Sequence, residues 1–397
     1  MLTNTIDQQG ISTARDEAAD GLRGLACLVV TIFHFFCAFM PKLEHHIDPV
    51  TYPPDLSPSI WSRLLTTFPI TLLHDGPFAV FIFFTLSGMV LSYPYYTSEA
   101  FSFIIIKRIR HRFFRLQFPV FIIIALTLLM SRADMFFNQQ AAVKSGSTKW
   151  LSNQHMSDIS LMNALSVGTY KAVLNGDTTL NTSLWTLRIE FYASIFLLVF
   201  LLVAVQRHNV FFSVASTFFL YATQSSDGIY FASLFSGHLI HRIRISRRVA
   251  RVIMIAGTVI GSLPSIALVH GSAFTPYFSF LTLIEPKIYP AFGAFAVVTA
   301  VKNNSFDSVF TSRIALTLGR ASYPLYLTHF VLLSSIFSYL YITFVFSPLA
   351  FTLLFVIYLC AIFLLAILLT IPPIATSQQR LMSFLYQCRF SFITTNR

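Results

Sequence analysis

The chain has 397 residues, of which 55% are hydrophobic and only 11% charged, and its mean hydropathy is +0.69. A soluble domain carries about 25% charged residues, so the composition excludes an ordinary soluble protein and indicates a polytopic helical membrane protein. The net charge of +11 does not indicate nucleic-acid binding. The cations cluster in short loops beside apolar runs, as orientation signals do in membrane proteins.

The apolar pattern predicts an all-α membrane bundle of about ten transmembrane helices, with both termini in the cytoplasm. We expect a polar cytoplasmic segment over residues 1–20, a membrane domain over 21–372 and a cytoplasmic tail over 373–397. In chain order the predicted helices cover residues 22–40, 77–96, 113–130, 184–205, 209–223, 227–241, 250–270, 286–301, 322–346 and 349–371.

The distribution of basic residues tests this count. With the N-terminus inside, 19 of the 27 Lys and Arg fall in the inside segments and 7 in the outside segments, and Arg188 lies within a helix. Such an excess on one side follows the positive-inside rule and supports ten spans. Two predicted outside loops, 41–76 and 131–183, are long, and long loops on one face of a bundle often carry recognition.

The first predicted helix begins "DGLRGLACLVVTIFHFF" and carries two ionisable residues, Arg23 and His34. Their separation of 11 residues returns to within about 20° of the same helix face and spans ~16 Å along the axis. Arg23 is therefore expected near the cytoplasmic surface and His34 near mid-membrane. An ionisable residue at that depth indicates function, although a hydrogen-bonded core histidine is the plainer alternative.

The segment "KRIRHRFFRLQFPV", residues 107–120, leads into the third predicted helix and is strongly basic. Arg108, Arg112 and Arg115 share one face by their spacing. A positive-inside anchor accounts for such a run. The functional alternative is a polyanion site on the cytoplasmic face, because arginine binds phosphate well.

Further ionisable and aromatic residues lie in or beside the apolar runs. Glu190, in "NTSLWTLRIEFYASI", faces a different side from Arg188 and needs a partner elsewhere in the bundle. Trp185 in the same segment is also typical of an aromatic belt. Asp75 lies at the outer mouth of the second helix, and His329 lies inside the ninth.

The motifs "DGLRGLACLVVTIFHFF", "FFTLSGMVLS", "RLQFP", "LWTLRIEFY" and "SYPLYLTHF" occur in an order and spacing that resemble the acyltransferase family 3 integral-membrane acyltransferases. The resemblance spans about residues 18–372, and its most specific part is the Arg-x10-His element formed by Arg23 and His34. It implies a ten-helix, stand-alone membrane O-acyltransferase. Such a protein moves an acyl group, commonly acetyl, from cytoplasmic acyl-CoA to a hydroxyl of an extracytoplasmic glycan or small hydroxylated acceptor.

The resemblance also implies roles for residues. We expect Arg23, Arg108, Arg112 and Arg115 to hold the phosphates of acyl-CoA. His34 is expected to act as the general base on the acceptor hydroxyl, with Glu190 orienting it or binding the acceptor. Asp75, Trp185 and His329 are the candidate acceptor-binding residues. The expected partners are acyl-CoA (acetyl-CoA as co-substrate), the acceptor and the lipid bilayer, with no metal and no nucleic acid; the expected location is a cell membrane, the bacterial inner membrane being the family's commonest home.

Two other functional classes stay open at this point. A transporter or exporter of an organic anion would also use intramembrane Arg, His and Glu. It would be expected to show internal repeats with broken helices, which the sequence lacks. A structural membrane subunit would leave the aligned Arg23 and His34 unexplained.

Overall fold

A computed structural model describes residues 3–6, 12–45, 51–57, 59–152, 159–203, 227–263 and 287–371, together with 213–214, 216–218 and 220. Apart from an antiparallel hairpin of two strands, β1 (Thr3–Ile6) and β2 (Ser12–Arg15), the described chain is helical. The predicted tail 373–397 and most of the predicted helix 209–223 lie outside the described residues.

The α-helices, in chain order, are α1 (Glu17–Phe39), α2 (Ile60–Leu65), α3 (Gly76–Thr97), α4 (Phe101–Arg132), α5 (Asn138–Ser145), α6 (Leu161–Ser166), α7 (Ala172–Leu174), α8 (Trp185–Val203), α9 (Gly228–Ser236), α10 (Arg247–Gly261), α11 (Ile288–Lys302), α12 (Asp307–Phe310), α13 (Arg313–Leu332), α14 (Ser338–Phe344) and α15 (Pro348–Thr370). Short 3-10 turns cover Pro41–Glu44, Ile70–His74, Thr182–Leu184 and Gly237–Arg242, and π-helical turns cover Val167–Lys171 and Leu333–Phe337.

Six helical segments of the described chain are long and apolar enough to cross a membrane, which confirms a multi-pass helical protein. They are Glu17–Phe39, Gly76–Thr97, Phe101–Arg132, Thr182–Val203, Arg313–Phe344 and Pro348–Thr370. Three further predicted helices match described helices that are shorter than these six. Helix 227–241 matches α9 with its 3-10 extension, and helix 286–301 matches α11. Helix 250–270 matches α10, and its residues 264–270 lie outside the described residues.

The two largest errors in the predicted helix starts both placed the start too late. Helix α4 begins at Phe101 rather than 113, so the basic run 107–120 lies within the helix, because arginine is a good helix former and no breaker precedes it. Helix α13 begins at Arg313, where the Ser312 side chain caps it, and Pro324 lies in its interior.

Helix α1 starts after Asp16, whose carboxylate accepts a hydrogen bond from the Ala19 backbone at 3.1 Å. It ends at Phe39, two residues before Pro41. We call the end of the bundle at which α1 begins the proximal face and the end at which α1 finishes the distal face.

Helix α13 runs parallel to α1 in direct register. A Cβ placed on Gly24 would lie 2.4 Å from the Gly319 backbone nitrogen, so glycine alone permits this approach. Three residues further on, the Cys27 thiol donates to the Ser322 carbonyl at 3.3 Å. Because both helices rise 1.5 Å per residue, the same offset brings residues 34 and 329 to one level.

Small residues also bring other helices together. A Cβ on Gly88 of α3 would meet the Leu234 carbonyl of α9, and one on Gly257 of α10 would meet Ala296 of α11. Without water to expel between helices, such close van der Waals contact holds membrane helices together.

Candidate functional site

The centre of the candidate site is a pair of histidines on the two parallel helices. His34 Nδ1 lies 2.7 Å from His329 Nε2. His329 is fully buried, at 0% exposure, whereas His34 is half-buried. The imidazole that the sequence analysis expects near mid-membrane therefore has a hydrogen-bonding partner, and His34 is not fully buried.

His329 is also bonded to its own helix. Its Nδ1 lies 3.0 Å from the Leu325 carbonyl, one turn earlier in α13. The ring is thus held at both nitrogens, by a carbonyl on one side and by His34 on the other.

The indole of Trp150 lies against the His34 ring, with 5.3 Å between ring centroids, and also contacts Phe330 of α13. The segment that carries Trp150 is fastened to the distal ends of other helices. The Ser147 hydroxyl donates to the Cys37 carbonyl at 2.7 Å, and Lys144 Nζ donates to the Tyr341 carbonyl at 3.0 Å. The sequence analysis did not select Trp150. The signal that it missed was a single tryptophan within the polar loop 131–183.

The start of α8 is fastened to α13 one turn towards the proximal side of the histidines. The Tyr326 hydroxyl donates to the Ser183 carbonyl at 2.8 Å, and the Asn181 amide donates to the Leu327 carbonyl at 3.0 Å. Trp185 in this segment packs against Tyr230 with 5.2 Å between centroids. The "LWTL" motif therefore borders the site through backbone anchors.

Glu190 has the partner that its apolar surroundings require. Its carboxylate pairs with Arg112 of α4, whose Nε also donates to the Ser194 hydroxyl at 2.8 Å. Arg188 pairs instead with Asp227 at 2.5 Å, as its different helix face predicts. Among the described contacts none joins Glu190 to His34, whose ring neighbours are Phe33, Trp150 and His329.

Arg108 satisfies carbonyls of α3. Its Nη1 donates to the Val90 carbonyl at 3.0 Å and to the Leu91 carbonyl at 2.7 Å. Pro94, four residues after Val90, has no N–H to give to that carbonyl, so the guanidinium replaces a missing helix bond. Arg108 thereby joins α4 to the proximal half of α3.

The other two predicted phosphate ligands are more accessible. Arg23 is half-buried and pairs with Asp20 of its own helix at 2.9 Å, and the Arg115 side chain is exposed. The four arginines thus differ in environment, since Arg112 is buried and Arg108 is committed to backbone carbonyls.

Asp75 caps α3 at the distal face, where its carboxylate accepts from the Phe78 backbone at 3.0 Å. The neighbouring His74 Nδ1 lies 3.1 Å from Glu44, and its Nε2 donates to the Leu65 carbonyl. Burial alone lowers the pKa of His74, but the hydrogen bond and charge of Glu44 outweigh it and raise that pKa above its usual value. Burial also raises the pKa of Glu44, and His74 offsets only part of this.

Within the part of the chain that the structure describes, no group of three or more His, Cys, Asp or Glu residues could hold a metal ion.

The apolar helices of membrane length define an integral-membrane protein, and the hydrogen-bonded pair of His34 and His329 is its candidate site. The family model described as "Acyltransferase domain" (Acyl_transf_3) matches residues 16–371, nearly the whole chain, and the chain belongs to that family. It is a multi-pass membrane O-acyltransferase. No curated protein and no solved structure matches the chain.

Proposed function

We propose that the protein transfers an acyl group, expected to be acetyl, from cytoplasmic acyl-CoA to a hydroxyl of an extracytoplasmic glycan or other hydroxylated acceptor. The observation that carries this proposal is the arrangement on α1. Arg23 lies near the proximal face, and the half-buried His34 lies ~16 Å further along the helix axis, bonded to His329.

The orientation follows from charge. The proximal face is proposed to be cytoplasmic, because the inside segments of the predicted topology hold 19 of the 27 Lys and Arg. The distal face, which carries the Trp150 segment, then faces the acceptor. A bacterial inner membrane is the proposed location.

For the donor, Arg23 and Arg115 are proposed to bind the phosphates of acyl-CoA, because Arg23 is half-buried and Arg115 is exposed. Arg108 and Arg112 are proposed to support this site by holding α4 to α3 and α8. The pantetheine arm would then extend along α1 and bring the thioester to the level of His34.

For the acceptor, His34 is proposed as the general base. Trp150 is proposed to shape the acceptor site, since its indole covers one side of the His34 ring. Asp75 and Trp185 have structural contacts with the start of α3 and with Tyr230, and their roles in acceptor binding stay predictions.

The roles of Arg23 and His34 can be separated by kinetics. Arg23→Ala should raise the KM for acetyl-CoA with little change in kcat, whereas His34→Ala should lower kcat and leave donor binding intact. Unchanged donor affinity in Arg23→Ala would contradict the proposed phosphate contact. Equal acyl transfer by His34→Ala and the wild type would contradict the proposed base.

The orientation can be tested in intact cells with a membrane-impermeant thiol reagent. The pair of variants is Val143→Cys at the distal face, where Val143 is 79% exposed, and Arg247→Cys at the start of α10, whose side chain is also exposed. A protein without its native cysteines provides the background. Labelling of Val143→Cys alone is expected, and labelling of Arg247→Cys alone would reverse the orientation.

A further inference from the structure

We propose that His329 is a positioning residue that holds His34 in the tautomer protonated on Nδ1, so that the His34 Nε2 lone pair is free to take the acceptor proton. This inference rests on the proposed function, in which His34 is the base. It assigns His329 a role through His34, in place of direct contact with the acceptor.

The tautomer follows from one backbone carbonyl. The Leu325 carbonyl, 3.0 Å from His329 Nδ1, can only accept a hydrogen bond, so Nδ1 carries the proton. In neutral His329 the other nitrogen, Nε2, is then an acceptor. It lies 2.7 Å from His34 Nδ1, which must therefore donate. A neutral His34 with its proton on Nδ1 has an unprotonated Nε2.

The geometry of the two rings favours this hydrogen bond. Their planes differ by only 5°, and their centroids are 5.0 Å apart. This separation exceeds the 2.7 Å distance between the two nitrogens by about one ring diameter, so the rings meet edge to edge in a common plane. The His34 N–H bond then points along the His329 lone pair, the direction in which a hydrogen bond is strongest.

Burial separates the roles of the two rings. His329 is 0% exposed and has both nitrogens occupied, whereas His34 is half-buried. Of the two residues only His34 is partly exposed, so His34 is the one proposed to meet the acceptor. The glycine contact between Gly24 and Gly319 keeps the two helices in the register that the pair requires.

The transfer step balances with these groups. His34 Nε2 takes the proton of the acceptor hydroxyl as its oxygen bonds to the thioester carbonyl carbon. When the carbon–sulfur bond breaks, the Nε2 proton passes to the departing CoA sulfur. While His34 carries both protons, its Nδ1–H donates to His329 Nε2, which stabilises the positive charge.

The test compares two amide variants. In His329→Gln the side-chain oxygen reaches the position of Nε2 and can accept from His34. In His329→Asn the amide can still donate to Leu325, but it stops short of His34. We expect His329→Gln to keep kcat within a few-fold of the wild type. We expect His329→Asn to lose roughly 10- to 100-fold in kcat, as expected for loss of a hydrogen bond to a charged group, with an unchanged KM for acetyl-CoA.

Equal kcat losses in the two variants, or wild-type kcat in His329→Asn, would overturn the proposal. A parallel rise in KM and loss of thermal stability in both variants would show a purely structural histidine and would also overturn it. His329→Leu, of similar volume, should match His329→Asn. The proposed function fails separately, when the wild type transfers no acyl group from acetyl-CoA or when His34→Ala transfers as well as the wild type.

Discussion

The contact between Gly24 and Gly319 sets the spacing of the two histidines, so a methyl group there should weaken catalysis from a distance. In Gly24→Ala the new Cβ would lie 2.4 Å from the Gly319 nitrogen and 2.5 Å from the Ala315 carbonyl oxygen. Ordinary contact begins near 3.4 Å. Backbone atoms cannot rotate away, so α1 and α13 must separate by about 1 Å to restore ordinary contact.

The separation acts directly on the histidine pair. Adding about 1 Å to the 2.7 Å between His34 Nδ1 and His329 Nε2 removes the hydrogen bond, because a contact beyond about 3.6 Å is no longer one. A misplacement of that size costs on the order of 100-fold in rate. The overpacking itself should cost about 1–3 kcal/mol of stability.

Acyl transfer from labelled acetyl-CoA and thermal unfolding in detergent measure the two effects. Gly257→Ala is the matched control, because its Cβ would lie 2.6 Å from Ala296 in a helix pair that carries neither histidine. Both variants should lose stability, and only Gly24→Ala should lose about 100-fold in kcat. Equal activity in the two variants would refute the link between helix register and catalysis.

Three further predictions concern the supporting contacts. Arg112→Met should cost about 3 kcal/mol of unfolding free energy by leaving Glu190, which is 16% exposed, without its partner; this is the lower end of the cost for a fully buried pair. Adding Glu190→Leu should restore most of this stability, and equal instability of the single and double variants in thermal unfolding would contradict the prediction. Because the pKa of His74 is raised, the folded protein holds this proton more tightly, so the stabilisation from His74 is present below about pH 6.5 and lost as pH rises through its raised pKa. The wild-type unfolding temperature should therefore fall from about pH 6 to 8 more steeply than that of Glu44→Gln, and parallel curves would contradict the pairing. Trp150→Ala should lower kcat/KM for the acceptor about 2- to 10-fold, and Trp150→Phe should retain most of the wild-type kcat/KM. Equal losses in the two variants would contradict a role for the aromatic contact with His34.

The sequence predicts the parts of the site that depend on one helix. The periodicity of α1 alone gives the shared face of Arg23 and His34, and the apolar surroundings of Glu190 predict a partner outside its helix, which is Arg112. The pairing of His34 with His329 depends on the register between helices almost 300 residues apart in the chain. That register is set by glycine contacts that no spacing within one segment reveals.

The role of an arginine also depends on its neighbours. The spacing of Arg108, Arg112 and Arg115 predicts one basic face, but Arg108 bonds the carbonyl that Pro94 leaves free and Arg112 is buried against Glu190. Trp150 lies in a segment without periodicity, so only the fold brings it to His34.

The most direct test of the account is acyl transfer by the purified protein from radiolabelled acetyl-CoA to candidate glycans, measured for the wild type and for His34→Ala. The account predicts labelled acceptor with the wild type and loss of transfer in His34→Ala, with acetyl-CoA binding retained. Undiminished transfer by His34→Ala would contradict the assignment of His34 as the base, and the absence of acetyl-CoA binding by the wild type would contradict the donor.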